Sequence, residues 1–241
     1  VVFGLVLSLS FMLKEKKNST EKNVAENAET SEEMGSVASD EVSLAKKEAE
    51  ESGVPDSIIE LLDKNPETLD FVKSYGELKD KAPSESVGQL EDSGAIPHFL
   101  QWDTRWGYQT YGDGYVATSG CGPTCMSMVI VGLTGDATAT PYEISKQAAE
   151  TGYTVKGGGT YARFMVEGAA AWNLNVAESL ESEVFVQEET AQGKPLICNL
   201  APGKYFTDVG HFIVITDYEE GILTVRDPFN VENTEKTWKY S

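Results

Sequence analysis

Two cysteines one helical turn apart, Cys121 and Cys125, lie in the stretch SGCGPTCMSM of a chain that contains three cysteines. Four roles are open to such a pair: metal ligands, a disulfide, two core side chains, or a nucleophile and its neighbour. A structural zinc site needs four Cys or His ligands, whereas this chain offers three Cys and two His, widely scattered. An i, i+4 pair on a regular helix does not direct its Cβ atoms correctly for a disulfide. The odd cysteine count favours a free thiol.

Cys121 is the better candidate for a nucleophile. Pro123 suits the first turn of a helix that we expect to run from near Pro123 to Gly132, so Cys121 stands at the helix start. Unpaired backbone N–H groups and the positive end of the helix dipole lower the pKa of a thiol at that position. Cys125 is followed by the apolar MSMVIVGL, and Cys198 lies in the strand-like PLICNL. We expect both to be packing residues.

A thiolate nucleophile needs a base, and the chain offers only His98 and His211. His211 follows Gly210 and opens the apolar run HFIVITDY, which predicts a strand that presents the imidazole at the end of a sheet. We therefore expect His211 to be the base. His98 is expected to be a structural or surface residue.

The base needs an acceptor that orients it, and the second strand of a hairpin supplies one. The runs HFIVITDY and ILTVRD are separated by Glu-Glu-Gly, which predicts a three-residue turn over 219–221. Pairing of Tyr218 with Ile222 would then make His211 and Asp227 diagonal neighbours, with backbones roughly 7 Å apart. Asp227 is the predicted orienting residue.

The remaining requirement is a donor for the oxyanion of a tetrahedral intermediate. The stretch IPHFLQWDTRWG offers Gln101, whose amide N–H could act beside the backbone N–H of Cys121. The predicted catalytic set is therefore Cys121, His211, Asp227 and Gln101, with no metal and no cofactor.

Composition divides the chain into five segments. Residues 1–13 are almost wholly apolar and are followed by KEKK, which predicts a truncated signal or membrane anchor, with a retained anchor favoured. A buried N-terminal helix is the alternative. We expect a disordered acidic linker over 14–39, short helices over 40–80, a second linker over 81–94, and the main domain over 95–241. The helices at 40–80 should dock on that domain or on a partner, where they could cover its groove.

The fold class follows from the order of elements in the main domain. Helices are predicted near residue 123, from 141 with Thr140 as cap, and over 161–172, and strand-type runs come later. Helices before an antiparallel sheet predict an α+β domain. The net charge of −20 would repel nucleic acid, so we expect no nucleic-acid partner.

Four motifs in order, IPHFLQWDTRWG, SGCGPTCMSMV, GHFIVITDY and VRDPF, resemble the bacteriocin-processing-like cysteine peptidases, family thirty-nine of the cysteine class. The resemblance covers about residues 95–240 and is strongest to exported, stand-alone members from Gram-positive bacteria. It implies a papain-like fold and a Cys-His-Asp triad on Cys121, His211 and Asp227, with Gln101 from the Q-x-D-x-R-W element. Papains carry their nucleophile at the second cysteine of a similar run, so Cys125 stays a formal alternative.

The resemblance predicts a thiol-dependent peptidase or amidase, secreted or anchored to the outer face of the membrane through its N-terminus. A peptide or amide is the expected substrate, and the oligomeric state is open. Leader-peptide processing is not inherited, because the chain shows no transporter or ATPase motif. Two alternatives are a surface module that binds peptide or wall material without turnover, and an acyl-transferring relative that uses an amine acceptor.

Overall fold

A computed structural model describes residues 2–9, 14–15, 28–90, 94–179, 182–203 and 206–240, with side chains from residue 40 onward. The helices are α1 (Ala28–Glu51), α2 (Asp56–Ile59), α3 (Leu61–Lys64), α4 (Leu69–Lys73), α5 (Tyr75–Leu78), α6 (Val116–Ser119), α7 (Cys121–Thr134), α8 (Pro141–Glu150), α9 (Phe164–Glu167), α10 (Glu183–Thr190) and α11 (Val231–Glu235), with 3-10 turns at Pro66–Thr68 and Ala169–Trp172. The strands are β1 (Val2–Leu9), β2 (Lys14–Glu15), β3 (Thr110–Tyr111), β4 (Gly114–Tyr115), β5 (Asn175–Ser179), β6 (Leu196–Leu200), β7 (His211–Glu219), β8 (Ile222–Arg226) and β9 (Trp238–Lys239).

The main sheet has the strand order β2-β9-β8-β7-β6-β1-β5, and β3 and β4 form a separate small ribbon. Strands β6, β7, β8 and β9 pair antiparallel with one another in that order, which confirms the three predicted runs and the α+β class. Side chains alternate across this sheet, as strand geometry requires. Phe212 and Val214 pack with α7 on one face. Ile213 and Ile215 pack with Trp238 on the other.

The N-terminal region differs from its prediction in two ways. Residues 2–9 form β1, a strand paired parallel with both β5 and β6, not the alternative of a buried helix. Helix α1 begins at Ala28, well before the boundary predicted at residue 40, because its Ala, Glu and Met residues have high helix propensity. Residues 10–13 and 16–27 of the predicted anchor and linker, and 91–93 of the second linker, lie outside the described residues. In the described part of the chain, no helix has both the length and the apolarity needed to cross a membrane.

Helix α7 is the central helix of the main domain. Its residues from Gly122 to Gly132 are all buried, because MSMVIVGL is apolar around the whole helix. It begins at Cys121, two residues before the predicted start near Pro123, and so includes the candidate nucleophile. Helix α8 begins at Pro141 as predicted, with the Thr140 hydroxyl accepting a hydrogen bond from the Glu143 backbone. The helix predicted over 161–172 is shorter and is divided into α9 and a 3-10 turn.

The β7–β8 hairpin corrects the predicted turn length. Glu219 pairs with Ile222, so the turn has two residues, and both Glu220 (φ 49°) and Gly221 (φ 81°) are left-handed. Such turns match the twist of paired strands. A bulge between Ile215 and Asp217 then shifts the register by one residue. The shorter turn and the bulge shift the register by one residue in opposite directions. The register predicted for the end of the hairpin that carries His211 and Asp227 is therefore correct.

The short helices α2 to α5, with the turn between them, form an extension docked on the main domain. Their apolar side chains share one core with Tyr108, Ala117 and Phe229 of that domain. The rings of Phe71 and Tyr108 stack at 4.2 Å, and the Tyr108 hydroxyl donates to the Phe71 carbonyl at 2.7 Å. The sequence predicted that these helices dock either on the main domain or on a partner, and the structure shows them docked on the main domain.

Candidate active site

Cys121 is the first residue of α7 and is half-buried. Burial works to raise the pKa of its thiol, but a hydrogen bond and charge from His211, with backbone N–H donors from Phe212 and Gly122, lower that pKa below its ordinary value. Hydrogen bonds to the charged form stabilise it. The arrangement therefore favours a thiolate at Cys121, as the helix-start argument predicts.

His211 and Asp227 are joined by a hydrogen bond of 2.8 Å between Nε2 and Oδ1, and both side chains are buried. Burial alone would lower the pKa of the imidazole, but the Asp227 carboxylate and Cys121 raise it to about 10. Since Nε2 is hydrogen-bonded to Asp227, the other ring nitrogen is the one that can interact with the thiol. The predicted neighbourhood of His211 and Asp227 is confirmed, and His211 in turn lowers the pKa of the Cys121 thiol.

Three N–H donors converge on the Asp227 carboxylate. Besides His211, the Phe229 backbone donates to Oδ1 and the Asn233 side chain donates to Oδ2, each at 2.8 Å. Although burial acts to raise the pKa of Asp227, His211 and these donors lower it, so the carboxylate is kept ionised. Sequence reasoning missed Asn233. Its only signal was a polar side chain close after the D-P-F motif.

His98, the second histidine, contacts the segment that carries Asp227. Its Nε2 lies 2.7 Å from the Asp227 backbone carbonyl and 3.2 Å from the Thr234 hydroxyl. Burial is the largest cause that lowers the pKa of His98, which fits a neutral ring that donates to a carbonyl. The structural role expected for His98 is confirmed.

Gln101 is buried and lines the same cleft as Cys121. Its Nε2 donates to the Ala117 carbonyl at 2.7 Å, while its Oε1 has no hydrogen-bond partner among the described residues. An amide nitrogen carries two N–H groups, so one donor is left after the bond to Ala117. The structure places Gln101 in the same cleft as the thiol but fixes it through a contact that the sequence did not predict.

Cys121 and His211 line a cleft of about 690 Å³. Its walls include Leu61 to Lys64 of the extension, the glycine loop 157–159, and the loop around Gly210. Gly158 has φ 120°, and a Cβ there would lie 2.9 Å from the Ser119 Oγ, so only glycine fits this close approach. The volume lies within the range of about 300 to 1,000 Å³ that is typical of ligand-binding clefts.

Comparison with known families agrees with this geometry. The model of the Peptidase C39 like family matches residues 94–241, which is more than half of the chain. The chain belongs to the Peptidase C39 like family. Its α+β architecture is the papain-like fold of that family, with the helical extension ahead of the domain. No match was found among curated proteins or among solved structures.

The other cysteines of this C39-like domain are placed differently from Cys121. Cys125 and Cys198 are fully buried in apolar clusters, and burial raises the pKa of both thiols. Buried thiols of this kind are inert. The structure thus separates one candidate nucleophile from two packing residues, in line with the roles expected for Cys125 and Cys198.

Proposed function

We propose that this chain is a thiol-dependent peptidase or amidase. The observation that carries the proposal is the buried His211–Asp227 hydrogen bond of 2.8 Å, with His211 and Cys121 lining the same open cleft. A low thiol pKa beside a raised imidazole pKa is the condition that a thiolate–imidazolium pair requires. Membership of a peptidase family supports the same reaction class.

In this mechanism the Cys121 thiolate attacks the substrate carbonyl carbon and forms a tetrahedral intermediate. The His211 imidazolium gives its proton to the leaving amine, and the C–N bond breaks to leave an acyl-enzyme. His211 then takes a proton from water, whose oxygen attacks the thioester. The C–S bond breaks, which releases the acid and restores the thiolate–imidazolium pair. Asp227 holds the imidazole in position throughout, and its carboxylate favours the charged ring.

The proposal assigns oxyanion stabilisation to Gln101 and to the backbone N–H of Cys121. The buried amide of Gln101 is held by Ala117, so its second N–H is pre-oriented at no cost during the reaction. Action outside the cytoplasm is part of the proposal and is based on the resemblance to exported members of the family. The apolar segment at 1–13 does not add support, because residues 2–9 form β1 of the main sheet.

The test is labelling of the full chain with iodoacetamide at pH 6, read by intact mass. We expect one label, which Cys121→Ala removes and Cys198→Ala retains, since only Cys121 is reachable and ionised. Unchanged labelling of the Cys121→Ala protein would refute the assignment.

Turnover is tested separately with a library of amide-linked peptides. We expect cleavage by the unmodified chain and none by Cys121→Ala. Peptide binding that survives Cys121→Ala, with no amide cleaved by the unmodified chain, would identify a binding module instead.

A further inference from the structure

The extension touches the segment that follows Asp227 through directional hydrogen bonds as well as apolar contacts. Asn65 is buried, and its Nδ2 donates to the Phe229 carbonyl at 2.6 Å. The Glu67 carboxylate accepts from the Val231 backbone at 2.8 Å and from the Glu232 backbone at 3.1 Å. Two side chains of the extension thus hold both ends of the turn that leads into α11.

Asn65 and Glu67 also hold each other. The Asn65 Oδ1 accepts from the Glu67 backbone at 3.0 Å, and the Asn65 Nδ2 lies 3.1 Å from Glu67 Oε2. The half-buried Glu67 carboxylate therefore receives three N–H donors, two of them from the first residues of α11. A carboxylate used in this way fixes direction and distance, which apolar packing alone does not.

The segment held by these residues is the one that positions the Asp227 carboxylate. Phe229, whose carbonyl Asn65 binds, donates its own N–H to Asp227 Oδ1. Helix α11, whose first N–H groups Glu67 binds, carries Asn233, the donor to Asp227 Oδ2. The extension therefore binds Phe229 itself, and it binds the helix that carries Asn233, so it holds both of the non-histidine donors to Asp227 in place.

We propose that Asn65 and Glu67 are positioning residues for the triad, which makes the extension a working part of the peptidase and not a tether. The proposal rests on the proposed function, because it assigns these residues a role in keeping Asp227 aligned with His211. Neither side chain touches the reacting atoms. They act through Phe229 and α11, and loosening them lets the imidazole turn away from the Cys121 thiol.

The experiment compares Cys121 alkylation rates at pH 6 and pH 9 in the full chain, for the wild-type protein, Glu67→Gln and Glu77→Gln. Glu67→Gln keeps the shape of the side chain but replaces one acceptor oxygen with an N–H₂ donor. That donor faces a backbone N–H group, with which it cannot form a hydrogen bond. Glu77→Gln makes the same charge change on the extension, where Glu77 pairs only loosely, at 3.7 Å, with the exposed Lys81.

We expect Glu67→Gln to slow alkylation at pH 6 by about three- to tenfold, the effect of weakening one hydrogen bond. At pH 9 its rate should stay within about twofold of wild type, because an ordinary thiol with a pKa of about 8.5 is then largely ionised. Glu77→Gln should match the wild type at both pH values. Should Glu67→Gln fail to fold, Glu67→Asp, which keeps the charge on a shorter stem, replaces it with the same expected direction.

A Glu67 variant with the wild-type ratio of the two rates overturns the proposal, even if its melting temperature falls, because the residue would then be merely structural. The wild-type protein tests the proposed function on its own. Labelling that is slow at pH 6 in the wild type would defeat the thiolate–imidazolium pair, whereas fast wild-type labelling with an unchanged variant defeats only the role of Glu67.

Discussion

Replacing Asp227 with Asn should lower the pKa of His211 strongly while the fold is kept. The carboxylate lies 2.8 Å from Nε2, and both groups are buried, so its charge is the main support of the imidazolium. Two unit charges about 4 Å apart attract by about 4 kcal/mol at an effective dielectric constant of 20. That energy corresponds to about 3 pKa units, and measured effects of one neighbouring charge run from about 1 to 3.

Asn has nearly the same size and keeps an oxygen that can accept from His211 and from the Phe229 backbone. Asn233 would turn its amide to present an oxygen to the new N–H₂ group, since two donors cannot face each other. We therefore expect a pKa lowered by about 1 to 3 from the wild-type value of about 10, without a large change in packing.

The assay is a proton NMR titration of the imidazole C–H signals. The chain has two histidines, so each signal is assigned by one substitution. His98 is not an independent reference, because the Asp227 charge also acts on its pKa, so its signal is assigned and followed separately. Asp208→Asn is the matched control, because Asp208 lines the same cleft but is not among the groups that act on His211.

Two results would refute the reasoning. His211 in the wild-type protein could titrate near the ordinary value of about 6.5, which would mean that the buried pair is not charged. Alternatively, Asp227→Asn and Asp208→Asn could give the same curve as the wild type, which would show that the carboxylate is not the source of the raised pKa.

Two further predictions concern stability. Because the pKa of His211 is raised, its contribution to stability is complete below the unfolded value of about 6.5 and is lost as the pH rises toward about 10. The melting temperature lost in His211→Gln should therefore shrink between pH 6 and pH 10, and a loss that grows over that range would contradict the sign. Gly107→Ala should destabilise the fold by about 1 to 3 kcal/mol, since its Cβ would lie 2.7 Å from Phe71 Cε2 and 3.0 Å from the Asp103 carbonyl. In the matched control Gly76→Ala, the added Cβ meets no atom within 4 Å and lies in a helix. Thermal unfolding should therefore show this variant to be as stable as the wild type or more stable. Equal losses of stability in the two variants would disprove the packing argument.

The sheet and the site could be predicted where the pattern is local. Three apolar runs became β6, β7 and β8, and the Cys-Gly-Pro stretch became the start of α7. The pairing of His211 with Asp227 was also predictable, although the argument for it contained an error. The predicted turn was one residue longer than the observed one, and a bulge in β7 compensated for the difference. No local sequence pattern predicts that bulge.

The rest depended on contacts between segments distant in sequence. The bonds from Asn65 to Phe229 and from Glu67 to Val231 each span 164 residues, and polar pairs of that kind leave no periodic pattern. Gln101 was predicted from its motif, but its anchor, the Ala117 carbonyl, is a backbone atom that composition cannot reveal. The apolar run at residues 2–9 fits either a membrane segment or a sheet strand, because hydropathy alone does not choose between them.

The core shared by the extension and the main domain limits which fragments of the protein can be expressed in soluble form. A recombinant fragment that begins at residue 94 would follow the family match but would leave Tyr108, Ala117 and Phe229 without their apolar cover. Uncovered apolar patches of this kind promote aggregation. Solubility trials and crystallisation should therefore start ahead of Ala45, the first buried residue of this shared core.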